Sequence, residues 1–181
     1  PWPQGHHLTG TAPNKDGGIA TWDTWGHYHI TLGLLLWHED TGSEAALDCA
    51  RRIGDLLVDT FLGDVAQRMV DTGSTEMNLA PAHSLCLLHL LTGESRYLDL
   101  AVQIVDEFAA EDADGTHLAG DYLNTGVAAV EFFETPKPRW ESLHPIMALA
   151  ELHYITGDDK YREAFESHWW SIVKLDRHNN G

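Results

Sequence analysis

The chain has 181 residues, 43% of them hydrophobic and 22% charged, which is enough to bury one sizeable core. A formal charge of -17, with only 11 Lys and Arg, repels phosphate backbones and anionic membrane surfaces, so nucleic acid and membrane are not expected partners. The 7 Trp and 12 His beside this acidity suit a neutral carbohydrate ligand, which stacks on rings and hydrogen-bonds to imidazoles and carboxylates. The plainer alternative is that the charge serves solubility alone. Cys49 and Cys86 lie in apolar helical surroundings without CxxC spacing, and both read as buried small hydrophobes. With no apolar run of spanning length and no signal peptide in the segment, a soluble, cytoplasmic protein is favoured. The sequence begins at Pro1 and stops at "RHNNG" just after a helical pattern, so a single, incomplete segment of a longer protein is expected over 1–181.

One phrase occurs three times along the chain: "LLLWHEDTGSEAALDCA", "LCLLHLLTGESRYLDLA" and "LAELHYITGDDKYREAF". In each, an apolar helical segment ends at Gly42, Gly93 or Gly157, residues free to take the left-handed conformation that closes a helix. Acidic residues just after each glycine favour the start of the next helix. Helices are predicted near 22–40, 44–61, 75–91, 95–110, 119–132, 138–155 and 159–174, and no stretch alternates as a strand. "EDADGTHLAGD" and "ETPKPR" read as loops. The first helix of each pair is apolar nearly all round and is predicted to be buried, while the second keeps a charged face. Inner and outer helices in succession predict an all-α fold, helical hairpins forming part of an (α/α)6 barrel, or toroid. The unequal spacing of Thr41, Thr92 and Thr156 argues against a solenoid of fixed period.

Three residues before each Thr stands a histidine: His38, His89 and His153. A catalytic site is built once, so a residue that recurs at one structural position is assigned to packing at the turn. Twelve residues before the Thr stand His29, Ala80 and His144; sixteen before stand Trp25, Glu76 and Trp140. Twelve residues at helical rise carry a side chain ~18 Å from the turn. These groups therefore gather at the opposite mouth of the inner helices, where a toroid collects its longer loops. Trp25 and His29, and likewise Trp140 and His144, share a helical face by their spacing of four. A Trp platform beside a His is a sugar-holding device; an aromatic core with satisfied histidines is the alternative. Asn78 joins these as a candidate ligand-binding residue, with Asp23, His27, His83 and Glu141 as secondary ones. His27 and Tyr28 are read as pointing elsewhere on the helix. Ser74 or Thr75 is a candidate helix cap. "GDYLNTG" at 120–126 is explained as well by capping as by binding, and "HNNG" at 178–181 is no metal box.

With these residues in hand, the chain resembles the β-L-arabinofuranosidase-like glycoside hydrolases, family 127 and its relatives. The resemblance rests on "GHYHITLGLLLWHEDTG", "LAPAHSLCLLHLLTGESRYLDLA", "HPIMALAELHYITGDDKYREA" and the following "WWSIVKLDRHNNG". It implies an (α/α)6 catalytic barrel that removes terminal furanose or related sugars from glycans, with His29 a sugar-binding histidine and His144 similar to a later one. Family members use a cysteine nucleophile held with Cys and Glu ligands around zinc, plus a glutamate acid/base. Cys49 and Cys86 match neither of the cysteine elements involved. The resemblance therefore implies a substrate-binding segment with no cofactor of its own, its main catalytic residues beyond Gly181. Two alternatives stay open: a helical-repeat module that binds a protein, and another toroid sugar enzyme, an epimerase or polysaccharide lyase.

Overall fold

A computed structural model describes residues 22–64, 67–73 and 75–177. Ser74, the Thr75 side chain and the "HNNG" stretch, all singled out above, lie outside what it describes. The helices are α1 (Asp23–Thr41), α2 (Glu44–Phe61), α3 (Thr75–Asn78), α4 (Pro81–Thr92), α5 (Ser95–Asp106), α6 (Tyr122–Val127), α7 (Leu143–Thr156) and α8 (Asp159–Ser171). No strand occurs among the described residues; Glu111 and His117 form one isolated bridge.

The repeated phrase folds the same way three times. Gly42, Gly93 and Gly157 adopt φ of +70°, +73° and +72°, and their N–H groups donate to the carbonyls of His38, His89 and His153. Each turn's threonine hydroxyl donates to the carbonyl four residues back, those of Trp37, Leu88 and Leu152. The same hydroxyls accept from the backbone N–H of Ser43, Glu94 and Asp158. The three histidines complete the device, their Nδ1 groups donating to the carbonyls of Ser43, Glu94 and Asp158 at 3.1, 3.0 and 3.2 Å. The carbonyls left over at the helix end and the first groups of the next helix are thereby satisfied within about six residues of chain.

Hairpins α1–α2, α4–α5 and α7–α8 stand side by side, with α4 packed against both α1 and α7, and α6 packed on α8. This is part of an α/α toroid, with α1, α4 and α7 as the inner helices. Close approach fixes two joints. A Cβ at Gly54 of α2 would fall 2.5 Å from the Leu88 side chain and 2.9 Å from the Tyr97 ring. A Cβ at Gly126 of α6 would fall 2.7 Å from the Ala164 backbone of α8. The core runs from Leu35, Leu57 and Phe61 through Leu85, Leu88, Leu100 and Ile104 to Ile146, Leu149 and Leu152.

Several expectations are corrected. Helix 75–91 is two helices, because Pro81 lacks the N–H to continue from Met77 and its ring displaces that carbonyl. Glu76 is therefore on α3, not on the inner helix. Pro145 acts in the same way on the helix expected over 138–155: Trp140–Ser142 is a 3-10 turn and α7 starts at Leu143. The helix expected over 119–132 shrinks to α6, bounded by positive φ at Asp121 and Ala129. The tails of α5 and α8 tighten or widen into a 3-10 turn over Glu107–Ala109 and a π turn over Ile172–Asp176. Nor is every inner helix buried all round. Pro81 to Cys86 and Leu88 of α4 are buried, but α1 exposes Ile30, Leu36 and Trp37, and α7 exposes Leu143, Met147 and Tyr154. The central helix has neighbours on both sides, whereas α1 and α7 are the edges of the described array. Cys86 is buried as expected; Cys49, on the outer helix α2, is only half-buried.

Candidate functional site

Building the mouth from α1 upward, Trp25 and His29 lie one turn apart with ring centroids at 4.3 Å in an edge-to-face arrangement. From the other side, α7 and the turn before it bring His144 to 4.9 Å and Trp140 to 6.1 Å from Trp25. The His29 and His144 centroids are 5.4 Å apart. Four rings that the repeat register placed at one depth therefore meet at one end of the inner helices. Trp140 is 64% exposed and His29 is also exposed, so the cluster faces solvent instead of closing into a core.

Beneath it lies a polar layer. Tyr28, 1% exposed, has its hydroxyl 3.1 Å from His83 Nδ1 and 3.1 Å from His144 Nδ1. The residue read as pointing elsewhere is thus the link between α1, α4 and α7. Burial pushes the Tyr28 phenol up to about 12, so it remains a neutral hydroxyl. Burial, reinforced by His144, pushes His83 down to about 4. His144 is also lowered, by burial first and then by His29, with Glu141 acting in the opposite sense. Both imidazoles are therefore neutral at physiological pH, able to accept as well as donate.

Glu76, 3% exposed on α3, has Oε1 3.7 Å from Nε of the exposed Arg139. Arg139 precedes Trp140 in the segment read only as a loop, so an ion pair ties the carboxylate to the aromatic wall. That segment is pinned from below: the Tyr122 hydroxyl donates to the Lys137 carbonyl at 2.9 Å and also meets the Ser142 hydroxyl. Glu141, on the same turn, is buried. Asn78 is fully buried, its amide nitrogen donating to Thr72 Oγ1 at 2.9 Å and to the Gly73 carbonyl at 2.7 Å. The Asn78 backbone carbonyl accepts from the Thr24 hydroxyl, which fastens α3 to the start of α1. Asp23 is in the first turn of α1, where its carbonyl accepts from His27 Nδ1. His27 is thus spent locally, as expected.

A cavity of about 720 Å³ opens elsewhere, between the segment after α2 and the end of α5. Four of its polar side chains, Arg68, Asp71, Gln103 and Glu107, are committed to structure. Arg68 pairs with Asp71 at 2.8 Å, Gln103 donates to the Phe61 carbonyl and to Glu107, and Glu107 accepts from the Val70 N–H.

The zinc chemistry implied by the resemblance finds no fit in these residues. Among the described residues, no three His, Cys, Asp or Glu side chains are grouped to hold a metal ion. Cys86 is fully buried in the apolar core and Cys49 stands on the outer helix α2, so the two cysteines do not share a site.

A family model described as β-L-arabinofuranosidase, GH127 catalytic domain, matches residues 7–176. Among solved structures the chain is similar to the GH127 β-arabinofuranosidase BT3674, with 21% identity and a TM-score of 0.57. That match covers 83% of this chain but 22% of the other, so the likeness carries the fold and the chain spans about a fifth of that protein's length. No curated protein sequence matches it. Because the family model accounts for nearly all of the sequence, including all three hairpins, the chain belongs to the GH127 β-L-arabinofuranosidase catalytic-domain family.

Proposed function

We propose that this chain is the sugar-binding segment of a glycoside hydrolase barrel that acts on terminal furanose or related sugars of glycans, its main catalytic residues lying outside residues 1–181. The observation that carries the reading is the open ring cluster of Trp25, His29, Trp140 and His144, drawn from α1, from α7 and from the turn before α7 to one end of the toroid. Indole faces stack on the apolar face of a sugar ring, and neutral imidazoles exchange hydrogen bonds with its hydroxyls. Glu76, buried behind the exposed Arg139, anchors the rim through that ion pair, and Asn78 shapes the segment that carries it. A helical-repeat module with a protein partner has no need of four rings at one depth, two of them imidazoles.

The experiment has two arms. Titration of a methyl β-L-arabinofuranoside into the isotopically labelled chain is expected to shift resonances of Trp25, His29 and His144. An aryl furanoside is expected to be left intact by these 181 residues and to be cleaved by a chain extended past Gly181. Turnover by the 181 residues alone refutes the placement of the catalytic residues, and shifts confined to outer helices refute the site.

A further inference from the structure

The Tyr28 hydroxyl carries one proton, yet it bridges two imidazoles through the same kind of nitrogen, Nδ1 of His83 and Nδ1 of His144, both at 3.1 Å. No third hydrogen-bond partner of this hydroxyl stands among the described residues. A neutral imidazole nitrogen either carries a hydrogen and donates or is bare and accepts. Were both Nδ1 atoms bare, only one could receive the phenol hydrogen, and the other would face an oxygen lone pair. Were both protonated, the phenol hydrogen would be left without an acceptor in a site that is 1% exposed. Either case forfeits a buried hydrogen bond and leaves a polar group unsatisfied. One arrangement keeps both bonds: one Nδ1–H donates to the phenol oxygen, and the phenol O–H donates to the other Nδ1.

We propose that Tyr28 is a positioning residue that locks His83 and His144 in opposite tautomers, so that their Nε2 atoms are one hydrogen-bond donor and one acceptor. Free neutral histidines choose their tautomers independently. Here the choice is coupled through one buried hydroxyl on α1, across α4 and α7. For the site, the coupling means that the tautomer His144 presents to the ring cluster is set jointly with that of His83 and not chosen alone. Its use in ligand recognition rests on the sugar-binding reading, whereas the tautomer assignment does not.

Long-range proton–nitrogen correlation spectra of the histidine-labelled chain at neutral pH test the assignment directly. One of His83 and His144 is expected to show a protonated Nδ1 and a bare Nε2, and the other the reverse. In Tyr28→Phe the coupling is expected to disappear, each ring relaxing by itself to the Nε2-protonated tautomer that a free neutral imidazole favours. Matching tautomers in the parent chain, or opposition that survives in Tyr28→Phe, overturns the proposal. If Tyr28→Phe does not fold, the parent spectrum alone decides. Adding methyl β-L-arabinofuranoside to the same sample separates the two claims. Opposite tautomers with no ligand-induced shift leave Tyr28 as assigned and count against the sugar site; matching tautomers with clear shifts do the converse.

Discussion

The two ends of the same three inner helices are built on different logic. At the turn end, His38, His89 and His153 each make one bond to a backbone carbonyl five residues on, and the three sites are interchangeable. At the mouth, His29, His83 and His144 occupy three different environments: exposed beside Trp25, buried on α4, and half-buried between Tyr28 and the rings. Repetition accompanies bonds that close on local backbone. Individuality accompanies bonds that cross from helix to helix. The difference teaches that residue type alone does not mark a site; the sequence distance of its partners does.

The sharpest way to separate the two ends is acid. Burial holds His83 at about 4 in the folded chain against 6.5 when unfolded, so below 6.5 the unfolded chain takes up the proton first. The stabilisation is therefore fully present above 6.5, falls as pH drops below it, and is gone near 4. A shift of this size corresponds to roughly 3 kcal/mol at full extent. His144 and His168 are lowered by burial as well and add loss in the same direction. Glu107 and Glu151 are raised by burial, so their contribution runs the other way, recovering stability as pH falls. Urea unfolding at a series of pH values is expected to show the loss in the parent chain and a clearly shallower one in His83→Gln. Parallel curves for the two would remove His83 from this role.

Next in size is the aromatic wall. Trp25 lies within 6.1 Å of three other site rings, so Trp25→Ala opens the cluster from its centre. Affinity for methyl β-L-arabinofuranoside is expected to fall about tenfold, or ~1.4 kcal/mol. Calorimetry or resonance shifts would measure it, and unchanged affinity would mean that the rings serve packing alone.

What could be read from the sequence follows the same division. The three Thr-Gly turns were legible because the glycine, the threonine hydroxyl and the histidine act within six or so residues of one another. The depth of Trp25, His29, Trp140 and His144 was legible because helical rise is regular enough to count back from those turns. Tyr28 was not. It stands 55 and 116 residues from its two partners, and no local pattern distinguishes it from a core tyrosine. Arg139 was hidden in a loop for the same reason, its carboxylate partner lying on α3. Pro81 and Pro145 carry the signal that shortens α4 and α7, inside an apolar pattern that runs on through them. The apolar circumference of α1 and α7 predicted burial that α4 shows over most of its length, up to the exposed Leu90 and Leu91, and that these edges show less, because burial needs a neighbour as well as a pattern.

The smallest effect lies back at the turns. His89 Nδ1 donates to the Glu94 carbonyl at 3.0 Å in a half-buried setting, and a bond of this kind contributes about 1 kcal/mol net. His89→Ala is expected to lower unfolding free energy by about that amount. The bond of His153 to Asp158 is longer, 3.2 Å, and exposed, so water replaces it readily and His153→Ala is expected to cost less. Neither change is expected to alter furanoside affinity, since about nine residues of helix, ~14 Å, separate these positions from the mouth. The measurement is a pair of denaturation curves beside a pair of binding titrations. If His89→Ala weakened binding while leaving stability intact, the turn histidines would belong to the site after all, and recurrence would have been the wrong reason to set them apart from it.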